Sequence, residues 1–160
     1  MVSCSVGDDD INDCTDSELG VNCQGADYIQ NSDSPYVLPW EIGETFVVGQ
    51  INCTNHSHSQ FAYDIPMPIG TNLVAVQSGK VLGVGENFED VQDGVNDISL
   101  IDKANYIDIE HQDGTRASYV HLTTNGALKS IGDTVIQGEV IALSVNSGWS
   151  SEPHLHFQLN

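Results

Sequence analysis

The chain has 160 residues, which is enough for one ordinary domain and too few for two of normal size. Its 4 Lys and Arg residues against 23 Asp and Glu residues give a formal net charge of -19, which argues against nucleic acid as a partner. No run of about 18 apolar residues occurs, so we expect no transmembrane segment. The residues after Met1 lack the basic and apolar parts of a signal peptide, so any export signal would already have been removed.

Residues 1–34 form an irregular acidic N-terminal segment, in which Asp, Asn, Ser and Gly predominate and apolar periodicity is almost absent. The four cysteines are Cys4, Cys14, Cys23 and Cys53, an even number that predicts disulfides formed in an oxidising compartment, with three possible pairings. A zinc site built from them is the weaker alternative because no two cysteines are close in sequence. Cys4 could instead be the lipid-carrying first residue of a mature lipoprotein. We therefore predict a tail or disulfide-stapled loop over residues 1–34.

The N-terminal segment is also a candidate calcium site. Its close carboxylates could offer a hard cation several oxygen ligands, but they do not complete an EF-hand spacing. A solvated acidic loop is the favoured interpretation. The residues concerned are Asp8, Asp9, Asp10, Asp13 and Asp16.

Short runs rich in β-branched and aromatic residues recur from Tyr36 onward, separated by Gly, Asn, Asp and Pro turn signals. No stretch predicts a long amphipathic helix. The pattern predicts an all-β fold for residues 35–160, an antiparallel β-sandwich or barrel-like single domain. An acidic excursion over residues 85–103 is expected to be a long loop that walls a groove. The predicted strands are Thr45–Ile51, Phe61–Ile65, Leu73–Gln77, Lys80–Val84, Tyr106–His111, Ala117–Leu122, Val140–Val145 and His154–Leu159.

The last predicted strand carries two histidines two positions apart. Residues at that spacing in a strand point to the same face, so His154 and His156 can serve one site while Leu155 and Phe157 pack into a core. For an isolated pair of this kind, exposed histidines without a metal would be the more common interpretation.

Three further histidines and an aspartate lie in or near predicted strands. Asp64 follows His56 by eight residues and His58 by six, so a turn could bring either histidine back beside the carboxylate. His121 lies in another β-rich run and, taken alone, would be a half-buried histidine with a structural role.

The segments that carry Asp64, His121 and the pair His154 and His156, taken in this order along the chain, resemble the lysostaphin-type (LytM-like) zinc endopeptidases. The resemblance covers residues 36–160 and is far more specific than any one motif. Residues 132–142 alone also resemble half of a lipoyl or biotinyl carrier hairpin, but they lack the lysine at the turn that a carrier needs. The resembling stretches are Phe61–Thr71, Val74-Ala75, Gly79–Val81, His111–Thr115, Tyr119–Leu122, Gly132–Val135 with Gly138, and Glu152–Phe157.

The resemblance implies a zinc site and two catalytic histidines. It makes Asp64 and His156 metal ligands, His121 and His154 catalytic, and His111 structural. The remaining ligand is a histidine placed four or about nine residues before the aspartate in the family, and neither spacing occurs here. His56 is slightly favoured over His58 because its spacing is one residue short of the longer form. Three protein ligands leave a fourth position for water, as catalytic zinc sites require.

The resemblance also implies the substrate, which is the short peptides of bacterial peptidoglycan, either glycine-rich bridges or cross-links that contain D-amino acids. A secreted, periplasmic or cell-envelope location and a monomer are expected. One alternative is a non-catalytic relative that binds the wall or a wall amidase, although such relatives typically lose ligands and this chain keeps a candidate for every position. The other alternative is a secreted calcium-dependent binding module.

Overall fold

The computed structural model describes residues 34–50, 61–91, 97–144 and 146–160, and the backbone of two short paired strands, β1 (Thr15–Asp16) and β2 (Val21–Asn22). Within these ranges the only helix is one 3-10 turn at Ile98–Leu100, which confirms the predicted all-β class. The other strands are β3 Ala62–Pro66, β4 Asn72–Val74, β5 Gly79–Gly85, β6 Tyr106–His111, β7 Arg116–Val120, β8 Leu122–Ala127, β9 Thr134–Val135, β10 Val140–Ser144 and β11 His154–Leu159.

These strands form two antiparallel sheets. The larger has six strands in the order β3-β11-β7-β6-β5-β9, and the smaller has three in the order β4-β10-β8. Apolar side chains from both sheets share one core, in which Ile109 and Leu155 of the larger sheet and Ile141 of the smaller are fully buried. Each such side chain stabilises the fold by about 1.5–3 kcal/mol relative to its exposed state.

The buried hydroxyl of Tyr119 adds a polar link between the two sheets. It donates a hydrogen bond to the carbonyl of Val74, at 3.1 Å, and accepts one from the amide of Val76, at 2.9 Å. Because the amide of Val76 is satisfied by this side chain, the strand predicted to run to Gln77 ends at Val74.

Two more strand predictions are corrected. The strand predicted over Thr45–Ile51 is wrong for residues 45–50, where the backbone makes only an isolated bridge from Gln50 to Asp64. The strand predicted to run through His121 stops at Val120, because His121 adopts a left-handed φ of 63° and the chain turns there into β8 of the smaller sheet. Strands β8 and β9 were absent from the sequence prediction.

The described part of the acidic excursion lies along the outer edge of β8. The Asp90 carboxylate accepts hydrogen bonds from the Thr124 amide and the Thr123 hydroxyl, both at 2.8 Å. Glu86 Oε1 accepts one from the Ala127 amide, at 3.0 Å. These carboxylates therefore satisfy amide groups that the edge strand would otherwise leave without a partner.

Several predictions fall outside the described residues. They concern the third ligand, His56 or His58, the side chains of the acidic calcium candidates, and the four cysteines. The boundary between residues 34 and 35 also stays a prediction. In the described part of the chain no helix is long and apolar enough to cross a membrane.

Candidate functional site

The strand register brings Asp64 and His156 together. Strand β11 lies between β3 and β7, and His156 pairs directly with Asp64 on one side and with Val120 on the other. Directly paired residues of an antiparallel sheet project from the same face. The two side chains accordingly meet, with 2.8 Å between His156 Nδ1 and Asp64 Oδ1.

His154 joins them from the same strand. Its Nε2 lies 3.6 Å from Asp64 Oδ1, while the intervening Leu155 is fully buried and Phe157 is nearly so. This alternation agrees with the arrangement predicted from the two-residue spacing of the histidines.

His121 reaches the site from the corner between β7 and β8. It follows Val120, the partner of His156, and its left-handed backbone turns the chain out of the larger sheet. The ring centroid of His121 lies 4.5 Å from that of His154 and 6.1 Å from that of His156. Four residues from three separate parts of the chain thus converge at one end of the larger sheet.

The loop over residues 147–152 orients the rings of His121 and His154 through backbone hydrogen bonds. The Ser147 carbonyl accepts a hydrogen bond from His121 Nδ1, at 2.5 Å, and the Glu152 carbonyl accepts one from His154 Nδ1, at 2.8 Å. A carbonyl oxygen can only accept, so each neutral ring carries its proton on Nδ1 and a lone pair on Nε2. The sequence interpretation missed these contacts.

The environment of His121 favours its neutral form. Burial lowers the pKa of His121 to about 4, and the nearby ring of His154 acts in the same direction. The hydrogen bond to Ser147 opposes this shift but does not cancel it. At neutral pH, His121 therefore has a lone pair available to accept a proton.

Asp64 and His156, the ligands that the resemblance implies, carry donor groups that could hold a metal. A carboxylate and an imidazole nitrogen are ordinary zinc ligands, and their separation and partial exposure fit donors to a shared ion. In the described ranges, no group of three His, Cys, Asp or Glu side chains could hold a metal ion. The third predicted ligand belongs to residues 51–60.

His111 lies away from this site, at the opposite end of β6. It is buried, its Nδ1 is 3.3 Å from the Ser78 carbonyl oxygen, and its ring packs edge-on against Tyr36. This environment agrees with the predicted structural role.

A cleft of about 170 Å³ opens beside Asp64 and His154. It is lined by Gly49, Gln50, Asp64, Pro66, Ser151, Glu152 and His154. A carboxylate and three imidazoles beside a cleft at one end of a sheet are features of a hydrolytic site.

Residues 58–160 match the model of Peptidase family M23. The chain belongs to this family. M23 is a metallopeptidase family, so the resemblance found in the sequence is confirmed, and with it the assignment to the metallopeptidases.

Two curated relatives and one solved structure illustrate the similarity. An uncharacterized metalloprotease of Buchnera aphidicola subsp. Baizongia pistaciae is 30% identical over 126 residues, covering 78% of this chain and 30% of that protein. The glycyl-glycine endopeptidase ALE-1 of Staphylococcus capitis is 34% identical over 110 residues, covering 68% of this chain and 25% of that protein. The chain thus spans less than a third of the length of either relative. The deep-sea M23 metalloprotease pseudoalterin shares the fold, with a TM-score of 0.58, 20% identity and coverage of 81% of this chain and 72% of that one.

Proposed function

We propose that this M23 chain is a zinc-dependent endopeptidase that hydrolyses peptide cross-links or bridges of bacterial peptidoglycan. The observation that carries the proposal is the convergence of Asp64, His121, His154 and His156 at one end of the larger sheet, beside a cleft that Asp64 and His154 line. The printed name of the Staphylococcus relative, a glycyl-glycine endopeptidase, favours glycine-containing bridges as one substrate class. A secreted, periplasmic or cell-envelope location and a monomeric state belong to the same proposal.

In this proposal Asp64 and His156 hold the zinc ion together with either His56 or His58. Bound zinc would polarise the scissile carbonyl and lower the pKa of an attacking water toward about 7. The 2.8 Å contact between His156 Nδ1 and Asp64 Oδ1 keeps the two donors aligned with each other.

In the same proposal, one of His121 and His154 acts as a general base and the other as a general acid. Each offers an Nε2 lone pair because its Nδ1 proton is held by a backbone carbonyl. One Nε2 accepts the proton of the attacking water. The other, once protonated, donates to the scissile carbonyl oxygen as it gains charge or to the leaving amine. Their 4.5 Å ring separation lets both reach one scissile bond.

Hydrolysis of sacculi tests the activity. Protein loaded with zinc should release new amino groups from purified peptidoglycan sacculi, and His121→Ala and His154→Ala should each lower the rate at least about 100-fold, the usual contribution of a general acid or base. Asp64→Ala should lose activity by losing zinc. Circular dichroism spectra should match that of the unsubstituted protein. Equal release by all four proteins would refute the enzyme and leave a non-catalytic wall-binding relative as the explanation.

Zinc content resolves the third ligand. His56→Ala and His58→Ala are compared by elemental analysis after dialysis, and one of the two should lose the bound zinc while the other keeps about one ion per chain. Retention by both variants would contradict a ligand from this pair.

A further inference from the structure

The rim of the catalytic cleft carries a carboxylate that the proposed reaction does not use. Glu152 lines the cleft beside Asp64 and His154 and is exposed. Its backbone carbonyl accepts hydrogen bonds from the Ser150 hydroxyl and from His154 Nδ1. Its carboxylate makes no hydrogen bond or ion pair with any residue in the described part of the chain.

The position of Glu152 relative to the reacting atoms is fixed by its own backbone. Since its carbonyl oxygen is 2.8 Å from His154 Nδ1, the residue cannot move away from the cleft without releasing a histidine of the site. The backbone from which the side chain extends is therefore held beside His154, within reach of a substrate bound in the cleft.

The described side chains that line the cleft offer this carboxylate no basic partner. None of them is Lys or Arg. Two of the four basic residues of the chain are engaged elsewhere, Arg116 with Asp108 and Lys129 with Glu139. A carboxylate that has no partner among the described residues, at the edge of a substrate cleft, attracts a ligand of opposite sign and repels one of like sign.

We propose that Glu152 forms a subsite for a cationic amino group on a substrate residue that flanks the scissile bond. The inference rests on the proposed peptidase function and adds a preference to it. Substrates with a free amino group next to the cleavage point are cleaved faster than the same substrates with that group neutralised. The amino group belongs either to a lysine-type side chain or to a free peptide N-terminus.

Acetylated sacculi provide the test. Sacculi whose peptides carry free amino groups are compared with the same sacculi after treatment with acetic anhydride, which makes those groups neutral. Acetylation should slow the unsubstituted enzyme about two- to fivefold, the effect expected for one solvent-exposed ion pair. Glu152→Gln should hydrolyse both preparations at similar rates, and Glu152→Lys should reverse the preference.

Glu110→Gln is the matched control. Glu110 is an exposed glutamate near the opposite end of the same sheet, and its replacement changes the net charge by the same amount. It should keep the acetylation effect of the unsubstituted enzyme. Mass spectrometry of the released fragments then shows whether the cut lies next to a side-chain amino group or a chain N-terminus.

Two results would overturn the inference. One is an acetylation effect in Glu152→Gln equal to that in the unsubstituted enzyme, and the other is no acetylation effect in the unsubstituted enzyme. Both are distinct from failure of the proposed function, in which the unsubstituted enzyme would hydrolyse neither preparation. Melting temperatures of the variants check that each protein is folded.

Discussion

Ser150 is the side chain that contacts Nδ1 of His154. It is buried, its hydroxyl donates to the Glu152 carbonyl at 2.8 Å, and its Oγ is 3.0 Å from His154 Nδ1. The His154 N–H is therefore shared between a backbone carbonyl and a hydroxyl that is itself bound to that carbonyl. We interpret Ser150 as a positioning residue, which orients the imidazole without touching the substrate.

Ser150→Ala should lower kcat about three- to tenfold with little change in KM, because one hydrogen bond that orients His154 is removed while the carbonyl contact remains. Ser150→Thr keeps the hydroxyl and should restore most of the rate. Nitrogen chemical shifts of the His154 ring should show the Nδ1-protonated tautomer in both variants, because the Glu152 carbonyl still accepts from Nδ1. Ser130→Ala, at an exposed serine, is the control. Equal rates for Ser150→Ala and Ser130→Ala would contradict the positioning role.

At the scale of single residues, the sequence predicted side chains better than backbone contacts. His154 and His156 could be placed on one face because the two-residue period of a strand is a strong constraint. The carbonyls of Ser147 and Glu152 could not be predicted as their partners, since every residue has a carbonyl and only the folded loop selects which one is used. The choice between His56 and His58 stays a prediction.

At the scale of elements, the sequence predicted β6 and β11 with their observed limits and missed β8. The pair Asn125-Gly126 has the composition of a turn, but here Asn125 takes a left-handed φ of 56° inside a strand that continues to Ala127. Local composition could not distinguish a turn from a strand at Asn125-Gly126. The interactions that decide it are made with β10 and with the acidic excursion, and both are distant in sequence.

The hydroxyl of Tyr119 on β7 forms hydrogen bonds with Val74 at the end of β4 and with Val76 just after it. Tyr119→Phe keeps the ring but leaves the Val76 amide and one lone pair of the Val74 carbonyl without their partner in the core. We expect the free energy of unfolding in urea to fall by about 1–3 kcal/mol. Tyr106→Phe removes a hydroxyl from a partly exposed ring on the adjacent strand and should change it by less than about 0.5 kcal/mol. Similar losses in both variants would refute this role of the Tyr119 hydroxyl.

At the scale of the whole molecule, the site joins parts of the chain that only the fold brings together. Asp64 and His156 are 92 residues apart and meet because β11 inserts between β3 and β7. A metal ion held by them and by a histidine from residues 51–60 would bind the folded chain and not the unfolded one. Zinc binding should therefore stabilise the entire domain as well as support catalysis.

Removal of the metal tests this coupling. A chelator should lower the melting temperature of the zinc-loaded protein by roughly 10 °C, since free zinc at 1,000 times its dissociation constant contributes about 4 kcal/mol and each kcal/mol corresponds to about 2–4 °C at this chain length. Asp64→Ala and His156→Ala should melt at the same temperature with and without chelator, because each lacks a ligand. Zinc added back should restore the melting temperature and calcium should not. Restoration by calcium alone would instead favour the calcium-dependent binding module, and a chelator effect of equal size in Asp64→Ala would exclude this carboxylate as a ligand.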